Sequence, residues 1–297
     1  MKHRDLVYDV GMHKGEDAEF YLRKGFRVIG VEADPDLVRA CRESLADFIA
    51  QGQLTIVAGA IVDPKRAEST VRFFKNSERS VWGTVFSTWA DRNAKLGSAS
   101  TGVIEVAAID FCQVIRQYGM PYYLKIDIEG GDMLCIEALR SFADRPDYVS
   151  LESDKLRFSN TRHEIDALVD LGYDSFQAVE QSELHHTQSP PFPAGEGRYV
   201  PHQFQFGSSG LFGCELPGRW RSKREILARY RAIHLGYDLL GDDGIVKHWR
   251  FKGAWRLQAL ATRVIRRFTQ AAVPGWYDTH ARHSMTAPAA AGSGFES

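Results

Sequence analysis

Five residues of this 297-residue chain have the types and spacing for chemistry: Asp9, Glu32, Lys125, Asp127 and Glu129. Glu32 closes the apolar run RVIGVE, a little downstream of a glycine-bearing turn, Gly11-Met12-His13-Lys14-Gly15. A carboxylate at the end of such a strand can accept hydrogen bonds from both hydroxyls of a ribose. Asp9 stands just before the turn, where its charge favours a cation; the simpler alternative is a cap on the turn. Lys125, Asp127 and Glu129 alternate in YLKIDIEGGD (123–132), so in a strand they share one face with Tyr123, and Asp127 reaches the carboxyl end. Burying Lys125 and Asp127 without partners would cost several kcal/mol, so they must pair, coordinate or face a pocket.

These residues need elements to position them, and the first two thirds of the chain alternate strand and helix. Strands are expected at 6–10, 27–31, 54–61, 70–74, 103–109, 121–128, 148–151 and 173–179. Helices are expected at 16–24, 36–50, 110–118, 132–142 and 163–171, the second opened by Asp34-Pro35, a capping residue before a proline. Such alternation gives right-handed βαβ units and an α/β fold with a mainly parallel sheet and helices on both faces. Ligands then sit at the carboxyl ends of the strands, where the Gly11–Gly15 turn and Glu32 fall.

The turn discriminates among nucleoside cofactors. A dinucleotide turn wants G-x-G-x-x-G, whose second glycine lets the backbone approach a pyrophosphate; His13 fills that place here. Glu16 and Asp17 follow in the first helical turn, where they suit the helix dipole but repel a phosphate. A cofactor with a ribose and no phosphate fits better, and S-adenosylmethionine is the obvious one. Asp9 would then sit near its ammonium, and Ala60 and Ile61 beside its adenine, although core packing explains those two equally well.

YDVGMHKG (8–15), VEADP (31–35) and, most specifically, YLKIDIEGGD (123–132) resemble the FkbM family of S-adenosylmethionine-dependent methyltransferases. The last segment is similar to that family's lysine-x-aspartate-x-glutamate-glycine signature, and the resemblance covers roughly residues 5–180. The family's turn commonly carries asparagine where His13 stands. The resemblance implies a Rossmann-like class I methyltransferase fold and a small-molecule or glycan hydroxyl as acceptor. The candidate catalytic residues are Asp127, Glu129 and Lys125. The candidate cofactor contacts are Asp9, Gly11, His13, Gly15, Glu32, Ala60, Ile61 and Asp127. Glu152 and Asp154, in SLESDK, are further candidate bases, and His13 is another. The same carboxylates would permit a divalent metal, but nothing in the sequence fixes a ligand set, and none is assigned.

The net charge of −1 argues against nucleic acid as the main partner. Cys41, Cys112, Cys135 and Cys214 form no CxxC pair and read as small buried hydrophobes. The N-terminus lacks the apolar core of a signal peptide, which favours a cytoplasmic protein. Residues 1–217 are expected to form the cofactor-binding domain, with the proline- and glycine-rich 180–217 as a lid or acceptor loop. His185, His186 and His202 bracket that loop without completing a tetrahedral metal set. Trp82-Gly83-Thr84 and Trp89, in an earlier polar loop, are candidates to line the same cleft. A helical appendage is expected over 218–282 and a disordered tail over 283–297. Its helix at 257–268 carries an apolar stripe flanked by Arg256, Arg263, Arg266 and Arg267; a docked helix is the favoured reading, and a membrane-surface helix the alternative. Two further classes remain at this stage: a nicotinamide oxidoreductase on the same sheet, disfavoured by His13, and a non-catalytic nucleoside-binding or membrane-peripheral protein.

Overall fold

A computed structural model describes residues 1–65, 68–76, 83–86, 102–128, 130–155, 157–240, 246, 254–270, 272 and 275–286. Its largest sheet has seven strands: β1 (Lys2–Val10), β2 (Arg27–Glu32), β3 (Leu54–Ala58), β7 (Met120–Ile126), β8 (Tyr148–Glu152), β9 (Tyr173–Glu180) and β10 (Tyr277–His283). They lie in the order β3-β2-β1-β7-β8-β10-β9. The pairs from β3 through β8 are parallel, and β10 runs antiparallel between β8 and β9. A second sheet, in the order β4-β6-β5, is built from β4 (Ala60–Ile61), β5 (Thr70–Lys75) and β6 (Gly102–Ile109).

Helices cover both faces of the large sheet. On one face α4 (Phe111–Tyr118), α5 (Asp132–Leu139), α6 (Phe158–Asp170) and α8 (Lys223–Leu240) contribute Phe111, Ile136, Leu168 and Tyr230 to a core that also holds Tyr8, Leu124 and Val149. On the other face α1 (Glu16–Arg23) and α2 (Pro35–Ser44) pack with Val7, Tyr123 and Tyr148. Burial on both faces explains why the central strands read as apolar runs rather than alternating ones.

Three departures from the sequence reading have physical causes. The strand expected over 54–61 breaks at Gly59, whose φ of +145° is open mainly to glycine, so Ala60–Ile61 crosses to pair with β6 in the second sheet. The long helix expected after Pro35 starts as foreseen, with Asp34 accepting from the Asp36 N–H, but bends at Leu45 into α2 and α3 (Ala46–Ala50). The third departure corrects the expected division of the C-terminal part. Helices α8 and α9 (Ala254–Thr269) form there, but Tyr277–His283 is a strand inside the main sheet, not appendage. Its sequence, YDTHARH, has no apolar alternation to betray it. The strand is nonetheless buried between two neighbours, with Thr279 and Ala281 fully enclosed.

The 180–217 region, expected as a lid, is largely a packed layer. A short helix, α7 (Leu184–Thr187), opens it, and Phe204, Leu211, Phe212 and Leu216 are buried against α1 and the sheet. The Phe212 ring stacks on Tyr123 at 4.3 Å between centroids. Lys24 and Glu215, both fully buried side chains, form an ion pair at 2.8 Å across this layer.

Candidate active site

The turn after β1 gets its shape from backbone torsions. Gly11, His13 and Gly15 all have positive φ (83°, 51° and 83°). Glycine meets that demand at no steric cost, and among other residues asparagine, aspartate and histidine tolerate it best, which accounts for the residue types at position 13. The Gly11 and Met12 N–H groups donate to the Val31 carbonyl, and the Gly15 N–H closes the turn on the Met12 carbonyl. A Cβ on Gly11 would fall 1.9 Å from the Asp127 carbonyl oxygen. Gly11→Ala is therefore expected to separate β1 from β7 at their carboxyl ends. It should cost about 3 kcal/mol or more in urea unfolding, as severe clashes and forbidden torsions do.

Of the residues the sequence marked, Gly11, His13, Glu32, Ala60, Ile61 and Asp127 line one cleft at the carboxyl ends of β1, β2 and β7. Gly83 and Thr84 line it too, whereas Trp82, Trp89 and Glu129 lie outside the described residues. Glu32, 8% exposed, accepts from the His13 N–H at 2.9 Å and the Asp34 N–H at 2.8 Å, one bond to each carboxylate oxygen. Each oxygen keeps a second lone pair for a ligand hydroxyl. Burial pushes the Glu32 carboxyl above its ordinary pKa, partly offset by those two N–H groups.

Asp9 and Lys125 do not line the cleft. Lys125 Nζ lies 2.9 Å from Asp9 Oδ1 and 3.5 Å from Asp17 Oδ2, and all three residues are at most 5% exposed. Asp17 in turn accepts from the Ser209 N–H, which ties the 180–217 layer to α1. Burial raises the Asp9 carboxyl to about 6 against the pull of the Lys125 ammonium, and the surrounding carboxylates hold Lys125 well above an ordinary lysine. Asp9 Oδ2 is buried with no hydrogen-bond partner. Lys125 therefore acts as a strut beneath the turn. Gly15 shapes the turn without lining the cleft; a Cβ there would meet Leu45 at 2.9 Å.

None of the 180–217 residues lines the cleft. His185 and His186 lie ring to ring at 3.9 Å, and His202 packs on Phe20 at 4.8 Å. Among the described residues no group of three or more His, Cys, Asp or Glu side chains is arranged to hold a metal ion.

The sequence reading missed a second hollow, about 240 Å³, beside the cleft. Gly130, Asp132, Met133, Glu152, Asp154 and Glu164 line it, with Lys155 and His163. Asp132 opens α5 and accepts from the Ile128 N–H at 3.1 Å. Burial, reinforced by the charges of Asp127 and Glu152, raises its pKa to about 7; burial and the neighbouring carboxylates raise Glu164 to about 8. Asp132 was legible as the end of the YLKIDIEGGD motif, but only the approach of α6 shows that it shares a site with Glu164.

This doubly wound sheet, with one reversed strand near its edge and a glycine turn and ribose-ready acid at its switch point, is the Rossmann-like fold of a class I methyltransferase. The family model described as the methyltransferase FkbM domain matches residues 9–175, more than half of the chain, and the chain belongs to that family. S-adenosylmethionine is its methyl donor. No curated protein matches the chain. Among solved structures it is similar to the precorrin-6Y C5,15-methyltransferase of Geobacter metallireducens GS-15, with 15% identity, 61% of this chain and 69% of that one covered, and a TM-score of 0.33. It is also similar to the FkbM methyltransferase of Methylobacillus flagellatus KT, with 16% identity, 52% and 34% covered, and a TM-score of 0.31. This chain thus spans about a third of the length of the Methylobacillus protein.

Proposed function

We propose that this protein methylates a hydroxyl of a small molecule or glycan, with the cofactor in the Glu32 cleft and the acceptor entering from the adjacent acidic hollow. The observation that carries this reading is the position of Asp127, on the wall of the cleft, a few residues before Asp132 in the hollow. Glu32 holds the ribose, Ala60 and Ile61 flank the adenine, and the Gly11–Gly15 turn supports the amino-acid end. When bound, the cofactor supplies an electrophilic methyl group.

The chain's own residues align the acceptor and take its proton. Alignment of reacting groups can contribute roughly 7–11 kcal/mol. A positioned base adds about 10²–10⁴-fold and works best with a pKa near the working pH. Asp132, at about 7, meets that condition. Because the base must be ionised to act, turnover rises as pH increases through about 7. Asp132→Asn should remove that limb and lower kcat about 100-fold, with cofactor affinity retained. Transfer of a labelled methyl group into candidate polyols and glycans, followed across pH, tests this. An unchanged profile in Asp132→Asn would move the role of base to Asp127 or Glu129. A thermal shift with S-adenosylmethionine and none with NAD tests the cofactor side separately.

A further inference from the structure

Helix α9 presents an apolar stripe that nothing among the described residues covers. Leu257, Leu260, Val264 and Phe268 are 49%, 57%, 44% and 83% exposed. At 100° per residue they fall within about 80° of one another, so they form one continuous strip along the helix. The helix is docked, as the sequence reading favoured, but most of its apolar stripe stays outside the contact. The opposite flank does pack: Ala261, Ile265 and Thr269 are at least half covered, and α9 lies along α8. Its C-terminal end is fastened by Arg229, whose Nη2 donates to the Gln270 carbonyl at 2.7 Å. The strip is therefore held facing outward by a rigid base.

The charge beside the strip selects its partner. Arg263 and Arg267 are exposed along one border, and the segment 254–269 contains no aspartate or glutamate. We propose that α9 seats this methyltransferase on an anionic lipid bilayer, with Leu257, Leu260, Val264 and Phe268 in the headgroup–acyl boundary and Arg263 and Arg267 against lipid phosphates. Apolar residues on one side and basic residues beside them are the pattern of a helix lying in the membrane plane. A second copy fits the strip poorly. A two-fold contact that pairs the strips antiparallel sets Arg263 and Arg267 of one protomer beside the same two arginines of the other. The helix is too short and too polar to cross a membrane, and no described helix is long and apolar enough to do so.

The test uses the full chain and co-sedimentation with vesicles of phosphatidylcholine alone or with about one third phosphatidylserine. Binding is expected to the anionic vesicles, falling steeply with added salt. Arg263→Ala with Arg267→Ala should weaken it on the order of tenfold or more, and Leu260→Ser with Phe268→Ser should weaken it at every salt concentration. Both double variants should keep the wild-type melting temperature and cofactor-induced shift, since none of the four residues touches the cleft. Equal affinity for both vesicle types, or variants that bind like wild type, would overturn the proposal. So would a wild-type dimer that the Leu260→Ser, Phe268→Ser variant dissociates, which would assign the strip to self-association.

Discussion

Replacing Glu32 by alanine is expected to weaken S-adenosylmethionine binding by at least about 100-fold. Two hydrogen bonds from ribose hydroxyls to a buried carboxylate contribute about 1.5–3 kcal/mol each, and 1.4 kcal/mol is a factor of ten. The loss has a second source, because the same carboxylate holds the His13 and Asp34 N–H groups, and so the turn and the start of α2. Glu32→Gln separates the two. Its amide keeps one acceptor oxygen but sets an NH2 against the other N–H, so an intermediate loss is expected. Since the Glu32 carboxyl titrates above its ordinary range, affinity should begin to fall at a higher pH than a solvated glutamate would dictate. Calorimetric titration of S-adenosylhomocysteine measures all three. Affinity within about threefold of wild type in Glu32→Ala would remove this residue from the cofactor site.

The largest effect on stability is expected at Lys125. Lys125→Met removes the only cation within ion-pair distance of Asp9 and Asp17 in the described structure and leaves two carboxylates in a dry interior. Breaking one side of a buried ion pair costs about 3–5 kcal/mol. Adding Asp9→Asn should recover part of that loss, because the unpaired charge goes with it. The variant's pH dependence has a defined sign. Asp9 already titrates near 6 in the folded protein, above an unfolded aspartate, so folding favours its protonated form. Without Lys125 its pKa rises further, and the single variant should gain stability as pH falls from neutrality toward 5. Urea unfolding at two pH values reads this, and a cost under about 1 kcal/mol would show that the strut carries little load.

The two predictions also mark where sequence and structure divide. Glu32 was readable because its role is local. A strand that ends in an acid next to a glycine turn puts that acid at the switch point of a parallel sheet, and β1, β2 and their connection span only about 30 residues. The Asp34 cap and the glycine at position 11 were legible for the same reason, although the Asp127 carbonyl that a Cβ there would strike belongs to a distant strand end.

Lys125 was found, but which of its open readings holds, an ion pair or a pocket, was not legible. Strand alternation places Lys125 and Asp127 on one face, but it says nothing of what covers that face, and the strand itself ends at Ile126. Asp17 from α1 and Ser209 from a loop almost 200 residues away turn the lysine into a strut, while Asp127, two residues on, emerges at the cleft. The 180–217 stretch looked like a lid because its prolines and glycines break regular elements, and composition cannot distinguish a mobile loop from one pinned by Phe212 on Tyr123.

By itself, the sequence determined the alternation of strands and helices as far as β9, the glycine turn, the acid at the end of β2 and the family signature at 123–132, all set by short-range periodicity and backbone sterics. Tertiary structure alone decided that Tyr277–His283 is the reversed strand between β8 and β9, that Asp132 and Glu164 share a hollow, and that the strip on α9 faces outward. Each of those depends on which distant segment packs beside the residue, and a polar strand buried between two others or an apolar stripe left bare has the same local sequence as its opposite.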